Sequence, residues 1–172
     1  SHGGVTAYLT AARYPQLVRA LVVIEAGVTN DADAPHRVAR WLDSWPLPFP
    51  DLAAAQQFFG GDTPAARTWA ASLVRREHGY VPAFRRDDVL ASVRDHESTA
   101  TYESDWAAVR CPTLLVVGER GWIRASDVET MRALQPKLCV ANIPGAGHDV
   151  HIEAPSELRR AAEAFFSGLP DA

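Results

Sequence analysis

Three largely apolar runs, at residues 20–24, 112–117 and 138–143, constrain the fold more than any other feature of the chain. Leu21, Val22, Val23 and Ile24 make the first, and Leu114, Leu115, Val116 and Val117 the heart of the second. A strand with one wet face alternates apolar and polar residues. These runs do not alternate, and short runs rich in β-branched residues suit strands of a parallel sheet covered on both faces. Parallel neighbours need crossover connections, and helical patterns occupy the intervals. Val5, Tyr8, Leu9 and Ala12 fall at helical spacing until Pro15 stops them. Ser126, Asp127, Val128 and Glu129 predict a capping box opening a helix to Leu134. Pro155 opens an amphipathic helix to Phe166, with Gly168 beyond its end. The pattern predicts an α/β fold with a doubly wound, mostly parallel sheet. Only three strands are readable, so one apolar flank of the sheet is expected to need cover from elsewhere.

Residues 30–105 differ in character. They hold most of the tryptophan and much of the proline, and helical patterns dominate. Val38, Trp41, Leu42 and Trp45 form one apolar stripe, broken by Pro46, Pro48 and Pro50. Asp51 is placed to cap a short helix through Phe59. Thr63 and Pro64 open another, expected to run through Trp69 and Leu73 toward His78. A fourth is predicted over residues 87–94. The chain therefore divides into a core part, residues 1–29, a helical insertion, residues 30–105, and a second core part, residues 106–172.

Composition excludes several classes of function. With 172 residues and 47% hydrophobic content the chain can bury an ordinary core. The net charge of −4 is spread out, and clustered Lys/Arg for nucleic acid or an anionic membrane surface is missing. No membrane-length apolar run is present, and no signal peptide is expected. Cys111 and Cys139 sit at the edges of apolar runs without zinc spacing and are expected as buried, reduced thiols. No metal or cofactor is expected, and a cytoplasmic location is.

The chemistry lies at two places. Ser1, His2, Gly3 and Gly4 form a small-residue turn that runs straight into a helix. That suits a serine held on a tight strand-to-helix turn, with the His2 N–H at the helix start as an oxyanion donor. Serine needs a base, and the base needs an acid to fix its tautomer. Gly145, Ala146, Gly147 and His148 follow the third apolar run and lead to a helix at Pro155. This presents a histidine where open α/β sheets build sites, beyond the carboxyl end of a strand. Ser1 is read as nucleophile and His148 as base.

These residues resemble the α/β-hydrolase superfamily, in its serine esterase and lipase-like branch with a helical cap. The run from Cys111 to Glu119, the pair Asp105-Trp106 before it, and Gly147-His148 through Pro155 carry the resemblance. It spans the whole chain, with residues 30–105 as the cap. It implies that the N-terminal half of the fold, with the central strands and a second oxyanion donor, lies outside this chain, on the same or a separate polypeptide. The family commonly places its acid a few residues after the strand that ends at Gly118. The matching position here is Gly121, which has no carboxylate. Glu25, 24 positions after Ser1, ends the strand following the nucleophile helix, and some relatives, certain haloalkane dehalogenases among them, take a glutamate there. Glu25 is therefore the expected acid, with Glu119 and Asp127 as rivals. Trp122, beside the vacant acid position, and His151 are expected pocket walls, joined by Trp41 and Trp45 from the cap.

The implied activity is hydrolysis of a carboxylic ester, lactone or thioester of a small, largely apolar molecule through an acyl-enzyme. The expected partners are that substrate and the missing half of the fold, and a homodimer stays open. Acyl transfer or cyclisation on the same triad, and a non-catalytic ligand-binding protein of the same fold, are the alternatives.

Overall fold

A computed structural model of the chain describes residues 1–98 and 101–170. Residues 99–100 and 171–172, inside the expected ranges 30–105 and 106–172, lie outside the described residues. The chain divides into two compact units, one of Ser1–Thr29 with Thr101–Ala172, the other of Asn30–Ala100.

The first unit begins with α1 (His2–Arg13), a 3₁₀ turn at Pro15–Leu17 and strand β1 (Leu21–Ile24). After the second unit it continues with α6 (Glu103–Ala108), β4 (Thr113–Gly118), α7 (Ala125–Leu134), β5 (Cys139–Ile143), α8 (Val150–Glu153) and α9 (Pro155–Ser167). The three strands form one parallel sheet in the order β1-β4-β5. Leu21 pairs with Thr113 and Ile24 with Val116; Leu114 pairs with Cys139 and Gly118 with Ile143.

The absence of alternation in the sequence has a direct structural counterpart. Val5, Tyr8, Leu21, Val23, Trp106, Leu115, Val117 and Met131 pack into one cluster, formed by one sheet face with α1, α6 and α7. Leu114, Val116, Ile143, Val150 and Ala154 pack into another, with Val22, Ile24, Leu158 and Phe165 against it, on the face covered by α8 and α9. Odd residues of β1 and β4 thus face one layer and even residues the other, and every residue of the central strand β4 is buried. Gly4 lets α1 lie close on β1: a Cβ there would stand 2.7 Å from the Ala26 Cβ.

The second unit contains α2 (Ala34–Asp43), α3 (Leu52–Phe58), α4 (Pro64–Ala71), strands β2 (Leu73–Arg76) and β3 (Gly79–Pro82), and α5 (Arg86–Ser98). Asp51 and Thr63 cap α3 and α4 as expected, accepting from the Ala54 and Ala66 N–H groups at 2.8 and 3.1 Å. Leu42, Trp45, Phe49, Ala55, Ala70, Leu73 and Leu90 make its core.

Several expectations are corrected. The helix from Thr63 stops at Ala71, and Leu73 to Pro82 form an antiparallel hairpin instead. Gly79 at its turn has φ of +139° and passes too close to Phe49 for any side chain. The fourth helix is longer than residues 87–94, and α6 was not expected. Residues 101–105 belong with the first unit, because the Tyr102 N–H bonds the Val28 carbonyl at 3.0 Å and α6 packs on α1. The capping box of α7 starts two residues early: Arg124 is the N-cap, and the Asp127 carboxylate accepts from its N–H at 3.1 Å. Cys139 is exposed rather than buried, since it opens an edge strand, and Cys111 is only half-buried. Both thiols are free.

Candidate active site

Glu25 is the centre of the site. It follows β1 directly, and its N–H donates to the Val116 carbonyl at 3.0 Å, so the ladder with β4 runs up to this residue. Its φ is +49°, the one positive value at a non-glycine residue among the described residues. Such a conformation is costly for a side chain and clusters at functional sites. The carboxylate is only 2% exposed, and an unpartnered charge there would be strongly disfavoured.

It is fully partnered. The Gly118 N–H donates to Oε1 at 2.8 Å and the Trp122 N–H to Oε2 at 2.7 Å. His148 Nδ1 lies 3.2 Å from the same Oε2. Burial alone raises the pKa of this group, toward the neutral form. The hydrogen bonds from His148, Trp122 and Gly118 outweigh burial and hold Glu25 below its ordinary 4.5. A charged carboxylate facing Nδ1 keeps the imidazole proton on that nitrogen and leaves Nε2 as a free base.

Gly121 explains itself in this geometry. A Cβ at residue 121 would overlap the Glu25 carboxylate. The acid from β1 therefore occupies the space that a side chain at the vacant position would fill. A missing carboxylate at residue 121 and a buried one at residue 25 are one arrangement.

The histidine reaches Glu25 because the loop leading into it is tied down at Gly145 and Gly147. Gly145, with φ of +68°, donates its N–H to Glu119 Oε2 at 2.7 Å, and its carbonyl accepts from Arg120 Nε at 3.1 Å. The Gly147 N–H donates to Glu153 Oε2 at 3.0 Å. A Cβ on Gly118 would overlap the Gly147 carbonyl, so a bare backbone at residue 118 is what lets the loop come down onto the sheet. Trp122 stacks on His148, with ring centroids 4.2 Å apart and planes at 15°.

Ser1 is exposed at the N-terminus of α1, where its hydroxyl caps nothing. Its nitrogen donates to the Ile24 carbonyl at 2.9 Å, one residue before Glu25. His2 is the first residue of α1 and exposed; its carbonyl accepts from Thr6 Oγ1 at 3.0 Å. His151 is exposed on α8.

The rival acids have other partners. Glu119 holds Gly145. Asp127 binds Arg124 and the Thr29 hydroxyl; burial pushes its pKa up, and these bonds outweigh burial and hold it below the usual carboxylate range. Trp41 and Trp45 lie in the second unit. Trp45 is buried there against Trp41, Phe59, Trp69 and Phe84, and Trp41 is 40% exposed. Sequence reasoning missed the two backbone donors to Glu25, and the roles of Glu119, Arg120 and Glu153 in holding the histidine loop. Among the described residues no group of three His, Cys, Asp or Glu side chains could hold a metal ion, and no helix is long and apolar enough to cross a membrane.

Known proteins share this arrangement at the level of family and fold. A 2-(acetamidomethylene)succinate hydrolase of Mesorhizobium japonicum is 29% identical over 171 residues, covering 96% of this chain and 61% of that protein. The crystal structure of E-2-(acetamidomethylene)succinate hydrolase superposes with a TM-score of 0.84 at 24% identity, over 98% of this chain and 65% of that one. A thioesterase domain from the curacin biosynthetic pathway gives a TM-score of 0.67 at 17% identity, over 93% of this chain and 62% of that domain's chain. The chain thus spans less than two thirds of the length of these proteins. Residues 1–161 match the profile of the Alpha/beta hydrolase family, and with its parallel sheet and the Glu25–His148 pair beyond the strand ends, the chain belongs to that family.

Proposed function

We propose that this chain carries the catalytic triad of a serine hydrolase acting on a small carboxylic acid derivative, with Ser1 as nucleophile, His148 as base and Glu25 as acid. The observation that carries the reading is the Glu25–His148 contact at 3.2 Å, made by a buried carboxylate with two further backbone donors. A surface histidine pair does not require so costly a partner.

The Ser1 hydroxyl attacks the substrate carbonyl while His148 Nε2 takes its proton. The oxyanion is held by the His2 N–H at the start of α1, with a second donor from the part of the fold outside this chain. Collapse expels the leaving group, which takes the proton from His148. Water then attacks the acyl-enzyme with His148 again as base, and the acid is released with Ser1 restored. Glu25 orients the imidazole and offsets its transient charge. No cofactor enters these steps. The substrate is an ester, lactone or thioester of a small, largely apolar molecule.

A second reading of the substrate is favoured by one observation. The Mesorhizobium relative is named for a substrate with an acetamido group, so cleavage of a small N-acyl bond by the same residues stands beside the ester reading.

Labelling by a fluorophosphonate tests the mechanism. Wild-type protein labels at Ser1 and Ser1→Ala does not; absence of labelling in folded wild-type protein overturns the enzyme reading in favour of a ligand-binding role. A panel of p-nitrophenyl esters, a thioester and an N-acetyl enamide separates the substrate classes. Adding alcohol and amine acceptors detects acyl transfer as partition away from hydrolysis.

A further inference from the structure

We propose that Trp122 is a positioning residue whose indole face holds the His148 imidazole in the plane that points Nδ1 at Glu25; this rests on the serine-hydrolase reading above. One residue engages both members of the pair. Its main-chain N–H binds Glu25 Oε2 at 2.7 Å, and its side chain lies against the imidazole at 4.2 Å and 15°. The two rings are nearly parallel and in direct face contact.

Burial does not account for where the indole sits, because it is 63% exposed. Its backbone is fixed on one side by the bond to Glu25. On the other side Ile123 packs against the buried cluster beneath the sheet. What remains free is the side-chain torsion, and the indole lies over the imidazole instead of turning into solvent. The loop carrying His148 is pinned through Gly145 and Gly147, on the N-terminal side of the histidine. Those bonds fix the backbone and leave the ring free to rotate about its own bonds. Glu25 supplies one in-plane contact, and the indole supplies a flat wall that permits only rotations within its plane. During the reaction the imidazole becomes cationic, and a π face beside it is attracted to that charge. Trp122 thus acts through His148 on the chemistry and is distinct in its consequences from a wall that only contacts substrate.

Because the Glu25 contact is made by the main chain, side-chain variants of Trp122 keep it. The test compares Trp122→Phe, Trp122→Leu and Trp122→Ala in the intact protein. Phenylalanine keeps a flat face, and leucine keeps apolar bulk without one. The first readout is the NMR resonance of the His148 Nδ1 proton, which needs no turnover. It is expected to persist in wild type and Trp122→Phe, and to be lost to water exchange in Trp122→Leu and Trp122→Ala. The second is hydrolysis of p-nitrophenyl acetate. Trp122→Leu is expected to lose kcat by about ten- to a hundredfold, the scale of a misplaced catalytic group, with KM changed less than about twofold. Trp122→Phe is expected to recover most of kcat. A Nδ1 proton unchanged in Trp122→Leu, or a loss confined to KM, overturns the proposal, as does a folded Trp122→Phe no better than Trp122→Leu. Failure of the parent reading looks different: wild-type protein that resists fluorophosphonate ends the serine mechanism, while the Nδ1 resonance still decides whether the indole positions the histidine.

Discussion

Glu25 combines two costs that an ordinary residue would not be kept for: a left-handed backbone and a buried carboxylate. Both are explained if the residue must deliver a charged oxygen to His148 from the end of β1. Glu25→Gln keeps the shape and removes the charge. Turnover is expected to fall by about a thousandfold or more, read as steady-state hydrolysis by folded protein. Gly121→Ala adds a single methyl where the carboxylate lies, so it displaces the acid without touching it chemically. A loss of about a hundredfold is expected, a large effect for so small a change, and wild-type turnover would refute the shared-space argument. The acidity of Glu25 also sets a pH dependence. Its folded value is depressed, so the stability it contributes is present above its ordinary 4.5 and is lost as pH falls through the lower folded value. Urea unfolding of wild type and Glu25→Gln should differ most near neutral pH and converge as pH falls through the depressed folded value of Glu25. At this scale the sequence was readable in part. A carboxylate after four apolar residues and a glycine where the family carries an acid both pointed to Glu25. The donors from Gly118 and Trp122 were not readable, because backbone N–H groups leave no trace in side-chain identity.

Elements were legible where their signals were local and failed where a tertiary contact decided. The three apolar runs became β1, β4 and β5, and Asp51 and Thr63 cap the helices they were expected to cap. The hairpin β2–β3 was read as helix because Leu73 continues the apolar spacing of α4. What stops the helix is the approach of Phe49, whose N–H and carbonyl bond Tyr80 at 2.9 and 2.8 Å, and no local pattern announces that. Helix α7 shows the same limit in a smaller way. Asp127, a rival acid that also suits the first turn of its helix, does serve that turn: its carboxylate gathers Arg124 and Thr29, but around a cap two residues earlier than the pattern predicts. Asp127→Ala leaves those donors without their acceptor. It is expected to lower unfolding free energy by about 1–3 kcal/mol with kcat within about twofold of wild type. Denaturant melts and steady-state rates on one preparation separate this outcome from a catalytic role, which would reverse the pattern.

At the scale of the molecule, the sheet unit is built from two distant stretches of chain. Chain order does not explain that; the closure of the excursion does. The Tyr102 N–H bonds the Val28 carbonyl at 3.0 Å, so the backbone returns to within one hydrogen bond of where it departed. The second unit has its own aromatic core, around Trp45, Phe49 and Leu90. An excursion with closed ends and its own core can be removed at low entropic cost, since loop closure over a few residues is short-range. Replacing residues 30–100 by a short Gly/Ser linker, in the intact protein, is therefore expected to preserve the Glu25–His148 pair. The measurements are circular dichroism for the fold, the His148 Nδ1 proton for the pair, and fluorophosphonate labelling for Ser1. If the second unit serves as a cap, as the family resemblance implies, labelling persists while discrimination between short and long acyl chains collapses. Unchanged discrimination would remove the second unit from substrate selection. Loss of the folded sheet would show that the two units, though separately packed, depend on each other for stability.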